Sequence, residues 1–245
     1  MIRITILLLL VFSYTLNAQN NEFDDTFISE NFKLLNSVDS ELAIAISPII
    51  EKRLVFDLKD SSSFYSPLTK LSKYVTIKTS EDSLIKTYSW DRINGGSWHD
   101  MASYAQFKTS SGQIKYLKLD SGDEHMTGEP TSVIIYGVYQ IKAKNESFYL
   151  LLGWGTYGGG QHHSLARVYR FKDNTLELCD SMFGGQKHLP VYANRVDKIN
   201  LKYNPKSKEL SHFYYEFDPD NGFHKREQQK VTWVFKNGTF QKRQK

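Results

Sequence analysis

The hydrophobic rhythm of this chain changes near residue 70. Before that point apolar residues recur every three to four positions. Phe23, Phe27, Leu34, Val38, Leu42, Ile46 and Ile49 form one stripe between Glu22 and Lys59, which predicts amphipathic helix packed through that stripe. Asn36-Ser37 predicts a break into two pieces, with Asp39 or Ser40 capping the second. Pro48 predicts a kink or shortening of that second piece, and Ser61-Ser62-Ser63 predicts the end of the region.

From about Tyr74 onward the period becomes two. Ile199, Leu201 and Tyr203 alternate with Lys198, Asn200 and Lys202; Phe213, Tyr215 and Phe217 alternate with His212, Tyr214 and Glu216. Val231, Trp233 and Phe235 repeat the pattern of half-buried strands. Val133–Ile141 and Phe148–Trp154 are apolar on both faces, which predicts central strands covered on each side. Polar turns at 109–112, 144–147, 172–175, 204–207 and 236–239 separate apolar stretches, the signature of hairpins in series. Asn237-Gly238 predicts a type I′ turn. The predicted fold is mainly β: an antiparallel meander of serial hairpins, as a sandwich or strongly curved sheet, with an N-terminal helical segment packed on one face or end. About a dozen strands make only three four-stranded propeller blades, too few to close a ring.

The chain therefore divides into residues 1–18, an N-terminal helical segment over 19–62, and an antiparallel β domain over 63–245. The first eighteen residues carry Arg3, an apolar run Ile4–Phe12 and a small residue, Ala18, at the exit. That order predicts a signal peptide cut after Ala18 and a secreted or periplasmic protein of the cell envelope. The apolar run is too short to span a bilayer, and no later stretch is long enough, so no transmembrane segment is expected after signal removal.

Composition refines the picture. Of the 245 residues 40% are hydrophobic and 24% charged, the profile of a globular chain. Aromatics reach 14%, with 15 Tyr, 15 Phe and 4 Trp, which points first to a large β core and second to exposed platforms for sugars or peptides. The net charge of +4 is unevenly spread. Nine acids against four bases between Gln19 and Asp60 give −5, whereas eleven bases against five acids from Lys198 onward give +6. These fit solvated faces, and no Arg-rich footprint for nucleic acid is present. Cys179 is the only cysteine, so no internal disulfide forms, and with no local base it reads as a passive thiol.

Candidate chemistry concentrates in two stretches. Gly153-Trp154-Gly155-Thr156-Tyr157-Gly158-Gly159-Gly160-Gln161-His162-His163 predicts a long glycine-rich loop between strands, which serves as a binding loop or equally as a flexible connection or wide bulge. Trp90 and Trp98 flank Gly95-Gly96, with His99 adjoining, an arrangement able to stack a sugar ring or just as well to cap the core. The candidate ligand-binding residues are thus Trp90, Trp98, His99, Trp154, Tyr157, His162 and His163. Neither these histidines nor His125 and His188 show the spacing of a metal site, so no metal and no cofactor are expected. Signatures of serine or cysteine hydrolases are missing. The expectation is a non-enzymatic binding or envelope-associated protein whose partner is a glycan or an envelope protein. The alternative is a secreted hydrolase acting on glycan or peptide, its site between the Trp90–Asp100, Asp123–His125 and Gly158–His163 loops. A subunit that docks on another protein would instead expose an apolar patch.

Tyr88-Ser89-Trp90-Asp91, Ile134-Ile135-Tyr136 and Phe148-Tyr149-Leu150-Leu151-Leu152-Gly153-Trp154 together resemble uncharacterised exported bacterial β-rich proteins. In those a YSWD-like strand precedes a YLLLGW-like hairpin and a C-terminal meander. The similarity covers roughly residues 63–240. It implies a mostly β fold behind a helical segment and an envelope or secreted location, and it brings no catalytic residues.

Overall fold

A computed structural model describes residues 23–94, 99–120, 130–143 and 146–244. The expected signal peptide, Trp98, the Gly95-Gly96 pair and Asp123–His125 lie outside the described residues, as does the side chain of Tyr157.

Three helices open the fold: α1 (Thr26–Leu35), α2 (Ser40–Asp57) and α3 (Ser61–Tyr65). The break falls at Asn36 as its sequence predicts. Asp39 caps α2, its carboxylate accepting from the Leu42 amide at 3.0 Å. Pro48 does not shorten the helix, which runs on to Asp57; burial of Ala43, Ile50 and Leu54 on either side holds it, and Ile44, whose carbonyl loses its helical partner, faces solvent. One expectation needs correction. The serine run starts α3 instead of ending the region, with Asp60 accepting from the Ser62 amide.

The β part consists of three antiparallel meanders. The first sheet is β1 (Thr76–Thr79), β2 (Ile85–Asp91), β3 (Met101–Lys108) and β4 (Ile114–Lys118). The second is β5 (Ile134–Ala143), β6 (Glu146–Tyr157), β7 (Gln161–Lys172) and β8 (Thr175–Leu178), with β9 (His188–Asn194) sharing the β7 edge. The third is β10 (Lys202–Asn204), β11 (Glu209–Asp218), β12 (Phe223–Lys236) and β13 (Thr239–Lys242). Four of the predicted turns, at 109–112, 172–175, 204–207 and 236–239, join consecutive strands; Lys144-Asn145 of the fifth lies outside the described residues, between the paired Ala143 and Glu146. Asn237 and Gly238 both hold positive φ, 50° and 85°, as a type I′ turn requires.

Three hydrophobic clusters stack these elements into four layers. Helices α1 and α2 bury Ile28, Phe32, Ala43 and Leu54 against Tyr88, Trp90 and Tyr104 of the first sheet. The opposite face of that sheet, through Ile85, Ala105 and Phe107, packs on Tyr149, Leu151 and Tyr169 of the second. The second sheet turns Phe148, Leu150, Leu152 and Val168 toward Leu210, Phe235 and Phe240 of the third. Strand β6 is thus central and covered on each side, as its unbroken apolar run predicts. Strand β5 is an edge strand in its pairing, and the layers above and below cover it. Phe217, expected on the buried face of β11, is exposed, because a bulge between Tyr215 and Phe217 shifts the register. No helix among the described residues is long and apolar enough to cross a membrane.

The helical stripe is shifted from its expected position. Phe27, Leu34, Leu42 and Ile49 are exposed, while Ile28, Phe32, Leu35, Ala43, Ile50 and Leu54 are buried. Helix α2 carries apolar residues on all sides, so two stripes competed and the one matching the first sheet won.

The glycine-rich stretch is not a long loop. Tyr157 pairs with Gln161, leaving a three-residue turn in which Gly159 and Gly160 hold φ of 70° and 78°. Gly155 lies within β6 for a different reason: a Cβ there would stand 2.2 Å from the Ser132 carbonyl oxygen and 2.8 Å from the His163 ring. Gly155→Ala is therefore expected to cost about 3 kcal/mol or more and to lower Tm by roughly 6–12 °C. Gly158, in open space without a positive φ, should accept alanine within about 0.5 kcal/mol. Thermal melts of the two variants decide it, and equal losses would contradict this account.

Candidate functional site

Between β2 and β3 the described residues 92–94 and 99–100 bring Arg92, His99 and Asp100 to one end of the first and second sheets. Arg92 is buried and binds three carboxylates. Its Nε and Nη2 donate to the two Glu51 oxygens at 2.7 and 3.0 Å, Nη1 to Asp100 at 2.7 Å and Nη2 to Asp120 at 3.3 Å. The Tyr104 hydroxyl donates to Glu51 at 2.6 Å, and Lys118 stands 3.4 Å from Asp120. Burial alone would raise the Glu51 carboxyl, but the hydrogen bonds from Arg92 and Tyr104 outweigh it and hold the group below its usual range. This network fixes α2 onto the edge of the first sheet.

Asp91 organises the same segment. One oxygen accepts from the Ile93 amide at 2.8 Å and the other meets His99 Nδ1 at 2.5 Å. Ile93 holds φ of 56°, a strained conformation for a β-branched residue, and the Asp91 carboxylate stabilises it. The His99 ring is 43% exposed, while its backbone amide donates to the Thr156 hydroxyl at 2.7 Å, tying the segment to β6.

The remaining predicted residues separate. Trp90 is a core residue and not a ligand platform: it is buried, stacks on Tyr104 at 5.8 Å and meets Phe32 edge-on at 5.4 Å. Its position on the helix-facing side of β2, in phase with Tyr88, decides this. Trp154 is partly exposed, and its indole donates to His162 Nδ1 at 2.8 Å. His162 Nε2 then donates to the Asp197 carbonyl at 2.8 Å, so both ring nitrogens are used and burial lowers its pKa. His162 and His163 lie on opposite faces of regular β7, as strand geometry dictates. His163 is fully buried, with neither nitrogen in hydrogen-bond geometry with a described residue. Burial chiefly, and then neighbouring His162, push its pKa down to about 4, with the Pro130 backbone opposing weakly.

The described flanks of the three candidate loops converge. Arg92 reaches Asp120, His99 reaches Thr156, and Arg167 Nη1 donates to the Leu119 carbonyl at 2.6 Å. Among the described residues no group of three His, Cys, Asp or Glu side chains is placed to hold a metal ion. Cys179 is buried, and burial first of all raises its thiol to about 11, the passive state its surroundings predict.

A second site has no counterpart among the predicted residues. Between α3 and the β1–β2 turn lies a cleft of about 620 Å³ lined by Phe64, Tyr65, Ser66, Thr79, Lys86 and Lys108, among others. Lys86 is buried and donates to the Ser66 carbonyl at 2.7 Å. Its ammonium lies 5.8 Å from the Phe64 ring centre, and Lys108 lies 5.6 Å from that of Tyr65. No described carboxylate lies within ion-pair distance of Lys86. Asp82, also on the cleft wall, is bound by Ser80, Leu84 and the Tyr149 hydroxyl. Burial alone pushes the Lys86 pKa down to about 8. A sequence signal for it exists: Lys86 shares a strand face with Tyr88 and Trp90, where the alternation calls for an apolar side chain.

Compared with known proteins, the chain matches no family model and no curated protein.

Two outcomes follow from this geometry. Arg92→Met leaves Glu51, Asp100 and Asp120 without their cation and is expected to destabilise the fold by about 3–5 kcal/mol at pH 7; a loss under about 1 kcal/mol by urea melts would show the network to be dispensable. His163 folds neutral, while its unfolded form titrates near 6.5. The unfolded chain therefore binds the extra proton as pH falls from 6.5 to 4, and stability drops by roughly 3 kcal/mol across that window. His163→Leu should remove that part of the pH dependence in the same melts.

Proposed function

We propose that this is an exported, envelope-associated protein that binds its ligand without transforming it, and that the ligand is an acidic glycan held in the Lys86 cleft. The resemblance to exported β-rich proteins and the leader-like first eighteen residues support the location. The observation that carries the ligand class is Lys86 itself. A buried ammonium with no carboxylate partner is costly, and a carboxylate arriving from solvent would remove that cost. Lysine has three donors, and Ser66 engages one. Lys108 adds a second cation, and the exposed Tyr65 ring supplies the apolar face on which a sugar stacks. The aromatic platform expected at Trp90 and Trp98 is thereby proposed at Tyr65.

A second reading, a secreted hydrolase, draws on one observation. The Asp91–His99 pair leaves His99 Nε2 directed away from its partner, as a general base requires. Against it, Asp91 also holds the strained Ile93 amide, and Arg92 occupies the other carboxylates nearby. The structural duties of these groups favour binding.

D-glucuronate and D-glucose differ by the carboxylate and serve as probes. Glucuronate at up to about 20 mM, which reports Kd values into the millimolar range, is expected to raise Tm and perturb amide resonances lining the cleft, whereas glucose is not. Lys86→Met should abolish the response while leaving the unliganded fold intact, since an apolar isostere replaces a buried charge. Binding should weaken as pH rises through about 8, where the free Lys86 loses its proton. In the absence of ligand, stability gains from this group between pH 8 and 10.5, because the unfolded chain holds that proton longer. Equal responses to the two sugars, or binding retained in Lys86→Met, would overturn the assignment.

A further inference from the structure

Helix α2 is the outermost layer of the fold, and its outer face is built unlike a solvated surface. Between Leu42 and Ile49 every exposed residue is apolar: Leu42, Ile44, Ala45, Pro48 and Ile49. Ile49 is 66% exposed and Phe56, one heptad on, 63%. Charge returns only at the two ends of this face, with Glu41 before it and Lys52 and Arg53 after it. Arg53 sits between Phe27 and Phe56, 5.1 and 5.3 Å from their rings, and pairs with Asp57. Glu41 and Lys52 make no ion pair with a described residue.

The spacing of these residues is symmetric about one point of the helix, midway between residues 46 and 47. Glu41 and Lys52 are equidistant from it, as are Ile44 and Ile49, and Ala45 and Pro48. Glu41, Ala45, Pro48 and Lys52 fall on the single ridge that points most directly away from the buried Ala43, Ile50 and Leu54. An antiparallel copy of α2 laid across this ridge, with a two-fold axis through that midpoint, brings each Glu41 beside the Lys52 of the other copy. Ile44 and Ile49 stand on opposite flanks of that ridge, so the same operation sets each beside its own counterpart in the other copy, and the small Ala45 and flat Pro48 let the backbones approach. The two charge pairs lie about 16 Å apart along the helix and close the ends of an apolar centre. A two-fold contact requires the same patch to complement itself. This one does so in charge, with opposite signs at opposite ends of an apolar centre.

We propose that the protein self-associates as a two-fold dimer through the outer face of α2, with Glu41 of each copy paired to Lys52 of the other. Leu42, Phe56 and the exposed Phe27 of α1 flank the contact and leave water with it. The dimer does not depend on the Lys86 cleft, which opens on a different part of the molecule near α3 and the β1–β2 turn.

Sedimentation equilibrium of the purified protein between about 1 and 100 µM tests the contact, and a dimer is expected to dominate in the upper part of that range. Ile44→Glu/Ile49→Glu changes exposed residues only, so it should keep the far-ultraviolet spectrum and a cooperative melt, with a Tm that no longer depends on concentration, while sedimenting as a monomer. Glu41→Lys and Lys52→Glu should each weaken the dimer at least tenfold by like-charge contact. The double swap Glu41→Lys/Lys52→Glu should recover it, because the two-fold axis restores both pairs in reverse. A monomer at every concentration overturns the proposal and leaves the stripe to a different protein partner. A dimer that survives Ile44→Glu/Ile49→Glu, or a double swap no better than its single variants, overturns it equally.

Discussion

The architecture rests on strands β6 and β7 being apolar on both faces. An amphipathic strand supplies one buried face and can build at most a two-layer protein; Phe148–Leu152 and Leu165–Tyr169 supply two. Their odd-numbered side chains pack toward the first sheet and their even-numbered ones toward the third. Each sheet outside this pair finishes the burial of one face and offers its own opposite face to something else. The first sheet covers that face with helices, and the third leaves much of it to solvent. Layer order thus follows from which strands lack a polar side.

A stack of this kind gains little from directional forces between apolar layers, and buried polar groups set how the outermost layer is seated. Gln106, fully buried in β3, donates to the Leu58 carbonyl and the Ser63 hydroxyl and accepts from Tyr88. Arg92 does the same for the other end of α2 through Glu51. Such groups are costly if left unpaired, which is why they specify one seating of the helices and disfavour slippage. The predicted ligand residues at this junction are caught up in the same task. Trp90 fills the helix–sheet core, His162 bridges Trp154 to the backbone of Asp197, and His99 is held by Asp91, which also restrains a strained turn.

Much of the fold was legible because strands and tight turns write short-range signals. Period-two alternation located β10, β11 and β12, the unbroken run 148–154 marked a strand covered twice, and Asn237-Gly238 gave its turn type. The errors arose where a long-range choice decides. In α2 two apolar stripes are present in the sequence, and only the shape of the first sheet selects the one carrying Ala43, Ile50 and Leu54. The glycine run misled for a similar reason: Gly155 serves Ser132 and His163, twenty-three and eight residues away, not a loop of its own. Of the candidate site the sequence identified the segment around His99 and Trp154, but roles such as the pairing of His162 depend on neighbours it does not reveal. Lys86 left a readable mark, a charge on the apolar phase of β2, and that mark had the same form as the exposed stripe of α2: a residue on the wrong side of its own pattern.

These two departures stand out against the way the buried charges near them are handled. Where Arg92 is buried it meets three carboxylates, and where Gln106 is buried its amide is satisfied on three sides. Beside these paired groups the Lys86 ammonium, buried against a carbonyl but with no described carboxylate in reach, stands apart. The same reasoning applies at the surface. Strand β12 exposes Lys225, Arg226, Glu227 and Lys230, the ordinary way of keeping a face in water, whereas α2 over the same length of chain exposes five apolar residues in a row of exposed positions. Helix stability does not demand this, since polar residues of comparable propensity would serve at Ile44 and Ile49. The cost of both features lies in the isolated protein, and in both it is relieved by an occupant of complementary chemistry: an anion for the ammonium, an apolar face with reversed charges for the helix.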